Sequence, residues 1–512
     1  MTTHTAWRQQ VPQLLNFFEG HFDQRIRAHH TELGYDIYIT DFSQWKLHLS
    51  DATPVIVIRQ ADLDETVMSA VGQSMTDIIR MRKFEQRNPI LCVDGDGTEL
   101  RRHFHSSFFS VMILDADDQS AILSSRRPGA ELLKRLSSQV LLAILSPYET
   151  SKPVTGSRFF GRETEIRRII TNDANFAVMG IRRIGKTSLL KEIGERYLAH
   201  AQESGDKLAE DRLIFLDCSS IKSAEHFMQE IVRRLNAQEL PRINHRQFPL
   251  YFPDFLNRMA RRYKGRLIFL LDEFDDLLTI LSSESDILEA MRSSSNQDSA
   301  RFIVAGFRRL LRETSNLDSP FFNFVSALRL KEFSLKEAST MIIEPMRNLG
   351  IHLERSNEIV DRIVRETAGQ PNLIQFYCSI LIEQLDRLEE RTLSMDMLFH
   401  VHDSEDFRAF LLNTFMDNTS HLEKAIVFSL LVKYDLDMGA FDLEMIEDAL
   451  ADQQVTGMFM DLDQACKNLE LAGTFVRKGQ YYHFATPIFA NILTESYNVN
   501  YLLRKVIQEG VW

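Results

Sequence analysis

Cysteine is scarce in this sequence, with four in 512 residues: Cys92, Cys218, Cys378 and Cys466. They lie far apart, and no two of them form a Cys-x-x-Cys pair. The sequence therefore offers no local zinc knuckle and no closely spaced disulfide framework. We expect reduced thiols in a reducing compartment.

Long apolar runs are also missing. No stretch approaches the length of about 20 residues that a membrane-spanning helix requires. The first residues, MTTHTAWRQQVPQLL, lack the basic, apolar and small-residue order of a secretory signal. These two observations predict a cytoplasmic protein that does not enter a membrane.

An excess of positive charge is the third missing feature. The chain has 59 Lys and Arg against 72 Asp and Glu, a net charge of −13. A dedicated nucleic-acid binder usually has a basic surface, so the balance disfavours one but leaves a local basic patch open. The length suggests about three domains.

A linker divides the sequence near residue 150. The segment SPYETSKPVTGS, residues 146–157, holds two prolines, a glycine and small polar residues. Before it we predict a separate α/β domain, residues 1–148, with helical periodicity at Asp64–Arg82 and Gly129–Leu145. Its predicted strands are Tyr35–Ile39, Pro54–Ile58, Pro89–Val93 and Phe108–Leu114.

After the linker, strand and helix patterns alternate over residues 158–334. This alternation predicts βαβ units and a mostly parallel sheet covered by helices on both faces, the α/β fold class. The predicted strands are Phe176–Met179, Leu213–Asp217, Leu267–Asp272, Phe302–Ala305 and Ala327–Leu330.

The remaining sequence is mainly helical. Residues 335–415 predict a helical lid, and residues 416–512 predict three helices followed by a hairpin, TFVRKGQYYHF, with Lys478-Gly479 as its turn. Three helices and a two-stranded wing indicate a winged-helix domain.

The segment NFAVMGIRRIGKTSLL fits the pattern G-x-x-x-x-G-K-[ST] between a strand and a helix. Such a loop turns backbone N–H groups toward phosphate oxygens, and the helix N-terminus adds partial positive charge. Lysine reaches the β- and γ-phosphates, and the threonine hydroxyl can bind Mg²⁺. The candidate residues for binding ATP are Gly180, Arg183, Gly185, Lys186, Thr187 and Ser188.

A second motif, GRLIFLLDEFDDLL, is an apolar strand that ends in carboxylates. A fully apolar strand is typical of the centre of a parallel sheet. Asp272 is then placed beside the phosphates as a Mg²⁺ ligand, and Glu273 is placed to orient or deprotonate the attacking water. We interpret Asp275 and Asp276 as charges at a helix N-terminus.

Five segments carry a family resemblance: FFGRETEIRRI, GIRRIGKTSLL, LIFLLDEFDDL, FIVAGFRRL and TAGQPNLIQ. Together they resemble the STAND class of AAA+-related P-loop ATPases, especially its archaeal-type, origin-recognition-like branch, over about residues 158–495. The resemblance implies that Phe160, Gly161 and Arg162 lie near the adenine. It also implies that Arg308 senses the γ-phosphate and that Pro371 contacts the base.

The sequence departs from replication-type relatives at one position. Asn372 and Leu373 follow Pro371, where those relatives have a sensor arginine, which argues against a ring motor. No arginine finger can be assigned. Arg309 and Arg312 are candidates, and a solvated helix face is the alternative explanation for both.

The run ILCVDGDGTEL resembles the first motif of haloacid-dehalogenase-type phosphatases, with Asp94, Asp96 and Thr98. A second acidic cluster begins at Asp115. The interval of about 16 residues is too short for the segments that such a fold needs between its motifs, so we expect two strands that end in polar turns.

The predicted winged helix is acidic. Residues 401–512 contain 8 Lys and Arg and 17 Asp and Glu, a balance of −9. A helix that reads a DNA groove needs neighbouring cations, and Arg477 and Lys478 in the wing are too few. We therefore expect this domain to contact protein or to couple to the nucleotide state.

These patterns together predict a slowly hydrolysing ATP switch that self-associates or binds a protein trigger. By resemblance, such proteins serve signalling or defence against invading genetic elements. One alternative is a DNA-associated AAA+ ATPase, such as a loader or transposition helper. A third possibility, an N-terminal nuclease or phosphatase, has no complete set of catalytic residues.

Overall fold

The computed structural model describes residues 27–30, 35–42, 45–48, 53–81, 88–105, 110–236, 248–281, 286–434, 439–453 and 462–509. It contains two five-stranded sheets and a large helical region. Within these residues, no helix combines the length and apolarity that crossing a bilayer requires. All four cysteines are buried and unbridged.

The first sheet belongs to the N-terminal region and has the order β1-β2-β3-β4-β5. β1, β2 and β3 pair antiparallel, whereas β3, β4 and β5 pair parallel. The three parallel strands are buried along their whole length, as their unbroken apolar sequences predict. The strands are β1 Arg27–His30, β2 Tyr35–Thr40, β3 Thr53–Ile58, β4 Ile90–Val93 and β5 Met112–Leu114.

Five helices cover this sheet: α1 Glu65–Met81, α2 Thr98–Phe104, α3 Ala116–Ser124, α4 Pro128–Ser137 and α5 Leu142–Leu145. The single helix predicted over Gly129–Leu145 is in fact two, α4 and α5. The reason is tertiary, since Asp386 accepts hydrogen bonds from the N–H groups of Leu142 and Ala143 and so caps a new helix start. Of the strand predicted at Phe108–Leu114, residues 108 and 109 lie outside the described residues.

The second sheet is entirely parallel and has the order β10-β6-β9-β8-β7. The predicted α/β class is confirmed here, and each strand lies where the sequence placed it to within two residues at either end. The strands are β6 Asn175–Met179, β7 Leu213–Asp217, β8 Leu267–Asp272, β9 Ala300–Gly306 and β10 Val325–Arg329.

Helices lie on both faces of this sheet. They are α6 Glu163–Ile170, α7 Lys186–Glu203, α8 Ala209–Arg212, α9 Ala224–Arg234, α10 Phe248–Arg262, α11 Phe274–Leu281, α12 Asp286–Asn296 and α13 Arg308–Ser315. The apolar side chains form two separate cores. One contains α9 to α12 and the other contains α6 and α7. The carboxyl ends of the parallel strands therefore meet at one edge, where ligands of α/β sheets bind.

The lid region contains five helices and a short pair of parallel strands. The helices are α14 Leu335–Asn348, α15 Ser356–Glu366, α16 Pro371–Leu388, α17 Met395–Val401 and α18 Glu405–Asn418. The strands are β11 His352–Leu353 and β12 Thr392–Leu393. Ser334 starts α14 with a capping box to Glu337. The predicted division between lid and C-terminal domain, at 415/416, lies inside α18.

The C-terminal region contains α19 His421–Lys433, α20 Leu443–Asp452, α21 Leu462–Leu471, the hairpin β13 Phe475–Lys478 and β14 Tyr481–Phe484, and then α22 Phe489–Ser496 and α23 Val499–Glu509. This is the predicted sequence of three helices and a hairpin. The predicted turn is shifted by one residue. Lys478 pairs with Tyr481, so Gly479, with φ of 67°, and Gln480 form the loop.

One hydrophobic core runs from the N-terminal region through the lid to the C-terminal helices. Polar contacts reinforce it: Lys46 pairs with Glu344 at 2.7 Å, and Asn348 donates to the carbonyl of Trp45 at 2.7 Å. The parallel sheet has its own two cores. The molecule thus consists of the parallel sheet with its helices and a second body, in which the N-terminal region, the lid and the C-terminal helices share one core.

Candidate nucleotide-binding site

The loop between β6 and α7 has the strand–loop–helix context that the glycine pattern predicted. Gly180 follows β6, and its N–H donates to the carbonyl of Gly306 at 3.2 Å. Gly185 precedes the first helical residue with φ of 99°, a conformation that side chains other than glycine rarely adopt. The N-terminus of α7 therefore faces the loop, as binding of phosphate requires.

Lys186, the first residue of α7, is buried. Its Nζ donates to the carbonyls of Gly180 and Ile181, both at 3.0 Å. Burial lowers the pKa of Lys186, while the carboxylates of Glu273 and Asp272 act in the opposite direction. A cation held inside the loop by weak neutral acceptors is well placed to exchange them for phosphate oxygens.

Thr187 and Ser188 follow in the first turn of α7, and both line the same cavity as Lys186. The Ser188 Oγ accepts a hydrogen bond from the N–H of Val154 at 3.1 Å. Ser188 is thus both a candidate nucleotide contact and an anchor for the preceding linker.

The acidic motif lies at the end of β8, the strand between β7 and β9. Asp272 is 3% exposed, and its Oδ1 has no hydrogen-bond partner among the described residues. Glu273 has φ of 46°, an uncommon conformation for a residue that is not glycine and one often found at functional sites. Burial raises the pKa of Glu273, Lys186 opposes this rise, and Asp272 adds to it.

These residues suit a divalent cation. A buried carboxylate oxygen without a partner is costly unless something binds it, and Mg²⁺ prefers oxygen ligands of this kind. Asp272 and the hydroxyl of Thr187 are the residues of this chain that would hold the ion.

A cavity of about 390 Å³ joins the two motifs. Its polar wall includes Arg182, Arg183, Lys186, Thr187 and Glu273, and its apolar wall includes Phe159, Phe160, Phe333, Met341 and Pro371. A pocket with cationic and aromatic walls matches a nucleoside triphosphate, which has an anionic chain and a flat base.

The three residues predicted at the base side differ in their surroundings. Phe160 lines the cavity. A Cβ on Gly161, where φ is 69°, would lie 2.9 Å from the ring of Phe333, so a larger residue is excluded there. Arg162 lines the cavity but is buried, and its guanidinium donates to the carbonyl of Lys331 at 2.6 Å. Gly161 and Arg162 therefore hold the segment in place.

Two further predicted contacts also line the cavity. Pro371 is the first residue of α16, a position that suits a residue without an N–H. The guanidinium of Arg183 lies 5.0 Å from the centre of the Phe410 ring and 3.8 Å from the Asp417 carboxylate. The loop therefore touches α18 of the lid.

Arg308 has a different environment from the predicted one. Rather than lining the nucleotide cavity, it lines a second cleft and forms a two-pronged ion pair with Glu423, at 2.6 and 2.5 Å. Its Nη2 also donates to the carbonyl of Asn418 at 2.6 Å. In this structure Arg308 therefore holds the start of α19 rather than a phosphate position. The planar guanidinium matches the two oxygens of a buried carboxylate.

Asp275 was predicted as a charge at the N-terminus of its own helix. It does lie in the first turn of α11, and its carboxylate also caps α13, where it accepts hydrogen bonds from the N–H groups of Phe307, Arg309 and Leu310. We expect Asp275→Ala to lower the free energy of unfolding by about 2 kcal/mol, the upper end for loss of a helix cap. Urea titration measures this value. The neighbouring exposed residue provides the control Asp276→Ala, which should change it by about 0.5 kcal/mol or less.

Three groups at this site had no predicted role there. The linker 149–154 forms part of the cavity wall, the Oδ1 of Asn418 accepts from the N–H of Arg182 at 2.8 Å, and Asn372 lies in the wall beside Pro371. Their proximity to the P-loop depends on packing between distant segments, which no local pattern records.

Comparison with known proteins supports the core of this description. Residues 169–313 match the family model described as AAA domain. A search of curated proteins finds no match.

Three solved structures are among those similar to this chain. The Walker-type ATPase of Pyrococcus abyssi is 16% identical, with 68% of this chain and 99% of that chain covered and a TM-score of 0.48. The Aeropyrum pernix ORC2 protein in ADPNP–ADP complexes is 16% identical, with 68% and 95% covered and a TM-score of 0.47. The Aeropyrum pernix ORC1 protein in complex with DNA is 16% identical, with 71% and 97% covered and a TM-score of 0.40. At these values the similarities carry no conclusion about function.

The family match, the parallel sheet and the two motifs at one sheet edge define the class of protein. The chain contains an AAA-type P-loop ATPase domain. It binds a nucleotide and is an ATP hydrolase.

Proposed function

We propose that the chain is a slowly hydrolysing ATP switch of the STAND type, in which the nucleotide controls how the C-terminal helices pack on the ATPase core. Such a switch would drive self-association or release the N-terminal domain to a protein partner in signalling or defence. The observation that carries this proposal is that the α18–α19 corner, residues 418–423, is attached both to the P-loop and to Arg308, the first residue of α13.

The corner is attached at two points. Asn418 accepts a hydrogen bond from the N–H of Arg182 in the P-loop, and Arg308 pairs with Glu423, which is 1% exposed on its side chain. Glu423 also accepts from the N–H of Ser420 and starts α19. A nucleotide that moves Arg182 therefore changes an attachment of the C-terminal region directly.

A second connection leads to the N-terminal domain. The linker attaches to α7 through Val154 and Ser188, and through the N–H of Gly156 and the Glu192 carboxylate at 2.8 Å. It attaches to the lid through the N–H of Glu149 and the Gln375 side chain at 2.9 Å. Because the linker spans the cavity, binding of nucleotide can be transmitted to the domain that precedes it.

We also propose hydrolytic roles for the residues of this site. Lys186 holds the β- and γ-phosphates, and Glu273 orients and deprotonates the attacking water. Thr187 and Asp272 would hold Mg²⁺, which would neutralise charge on the phosphate oxygens. Arg308 becomes available to a γ-phosphate only after its ion pair with Glu423 breaks. Hydrolysis is therefore slow and depends on detachment of the α18–α19 corner.

The attachment can be tested with Arg308→Met. This change leaves the Glu423 carboxylate buried without its cation, at a cost of up to about 3 kcal/mol in the free energy of unfolding, because Arg308 is itself partly exposed. We also expect ATP-dependent assembly at a lower protein concentration, measured by light scattering.

The double variant Arg308→Met with Glu423→Met is the control for the buried charge. It should recover most of the lost stability while it still assembles more readily than wild type. If the double variant assembles like wild type, the ion pair is structural only, and its role in the switch is wrong.

A second candidate function, a DNA-associated ATPase, is favoured by one observation. The cleft between α13 and α21 is lined by exposed cations, Arg312, Arg329 and Lys331, for which no ion pair is found among the described residues. However, Glu332 and Glu470 line it too, and Lys467 pairs with Asp463 at 2.5 Å.

We therefore expect no sub-micromolar complex of the full chain with duplex DNA at physiological salt. Fluorescence anisotropy over a salt series measures this. A tight complex that weakens steeply with salt, and that Arg312→Glu with Arg329→Glu abolishes, would establish the second function instead.

A further inference from the structure

Asn372 has an unusual environment in the wall of the nucleotide cavity. It is the second residue of α16, directly after Pro371, and its side chain is among those that line the cavity. Both amide atoms, Oδ1 and Nδ2, are inaccessible to solvent and have no hydrogen-bond partner in the described part of the chain. A buried polar group without a partner is costly, so two on one side chain call for a ligand.

The neighbouring polar side chains share this property only in part. Gln375, one turn later on α16, accepts from the N–H of Glu149 at 2.9 Å. The Nε2 of Gln370 donates to the carbonyl of Gly473 at 3.3 Å, its Oε1 has no partner among the described residues, and Gln370 lines a different, smaller cavity. Asn372 is therefore the amide at this helix start that lines the nucleotide cavity with both of its polar atoms unpaired within the residues described. Because these atoms are covered, a ligand reaches them only when the side chains that cover them move.

The chemistry of the ligand follows from the donor and acceptor on Asn372. A phosphate offers acceptors only, so it would satisfy Nδ2 and leave Oδ1 without a partner. One edge of adenine offers a donor, the 6-amino group, beside an acceptor, N7, and a carboxamide pairs with both at once. The adjoining wall of Phe160, Phe333, Met341 and Pro371 suits a flat, apolar base.

We propose that Asn372 is a specificity-determining residue that selects adenine, with Oδ1 accepting from the 6-amino group and Nδ2 donating to N7. This inference rests on the proposed nucleotide binding. It specifies that the lid recognises the adenine base of the nucleotide.

Isothermal titration of the full chain with three triphosphates tests the inference. Inosine triphosphate replaces the 6-amino donor with an oxygen acceptor, and 7-deaza-ATP removes the N7 acceptor. We expect wild type to bind ATP about tenfold or more tightly than inosine triphosphate, and several-fold more tightly than 7-deaza-ATP, as expected for loss of one or two hydrogen bonds. Equal affinities for all three would overturn the inference, and this comparison needs no variant.

The variant Asn372→Leu has nearly the same shape without polar atoms. It should bind inosine triphosphate as wild type does, and it should lose the preference for ATP. Its melting temperature without nucleotide should be unchanged or higher, because two unpaired polar atoms are removed. A purely structural asparagine would instead give a lower melting temperature. Asn491→Leu, at an exposed position on α22, is the control and should keep the preference.

The outcomes separate this inference from the proposed function. If Asn372→Leu weakens ATP and inosine triphosphate by the same factor, the residue contacts the ribose or the phosphates, and the assignment to the base is wrong. If the variant keeps the wild-type preference, another group selects the base. Failure of wild type to bind any of the three would overturn both the nucleotide site and this inference.

Discussion

Glu273→Gln is expected to bind ATP as wild type does and to hydrolyse it about 10² to 10⁴-fold more slowly, the range for loss of a general base. The amide has the shape of the carboxylate but cannot accept the proton of the attacking water. Glu273 lines the cavity opposite Lys186, and burial raises its pKa, which makes it a stronger base than an exposed carboxylate. Release of phosphate and calorimetric binding of ATP measure the two quantities.

The adjacent acidic residues of α11 supply the control. Asp276→Asn removes an exposed carboxylate near the same sheet edge and should leave turnover within about twofold, because it contacts no reacting group. Turnover of Glu273→Gln at the wild-type rate would show that a different residue activates the water.

Lys186→Ala should weaken the binding of ATP by about 100-fold or more, since each hydrogen bond to a charged phosphate contributes about 1.5 to 3 kcal/mol. The Nζ of Lys186 lies inside the loop and is buried, so no other side chain can take its position without rebuilding the loop. Calorimetric titration with ATP and Mg²⁺ gives the affinity.

Lys191→Ala is the matched control for this variant. Lys191 is exposed one turn later on α7, and its loss should change the affinity by less than about threefold. Unchanged affinity in Lys186→Ala would contradict the assignment of the loop as the phosphate site.

The sequence predicted the parts of the site that depend on local order. Strand β6, the loop that ends in Gly185 with φ of 99°, and the start of α7 follow one another in the sequence. The position of Lys186 therefore follows from the pattern itself. Asp272 is likewise placed by the strand that carries it. The edge of the sheet at which both meet follows from the parallel order of the strands.

Arg308 and Asp275 have partners that local reasoning could not predict. Both lie beside the sheet edge as predicted, but the partner of Arg308 is Glu423, 115 residues later, and Asp275 caps a helix about 30 residues later. Whether an arginine meets a phosphate or a carboxylate is decided by the packing of another region, and a pattern of neighbouring residues does not record that packing.

The contact between the N-terminal region and the lid was also beyond the sequence patterns. The buried side chains that join them, such as those of Tyr148 and Met341, look like ordinary core residues of separate units. The Tyr148 hydroxyl donates to the carbonyl of Met341 at 3.1 Å. The proposed domain boundaries therefore divide the sequence, but the N-terminal region, the lid and the C-terminal helices are not independent bodies, because they share one core.

In the proposed switch, the bound nucleotide decides whether the α18–α19 corner stays attached and whether the chain assembles. Light scattering after size-exclusion chromatography of Glu273→Gln, with ATP and then with ADP, tests it most directly, because this variant retains ATP. We predict a monomer or small oligomer with ADP and a larger assembly with ATP, with a candidate trigger supplied in both cases. Identical masses in the two nucleotides would contradict the account and leave an ATPase whose nucleotide state does not control assembly.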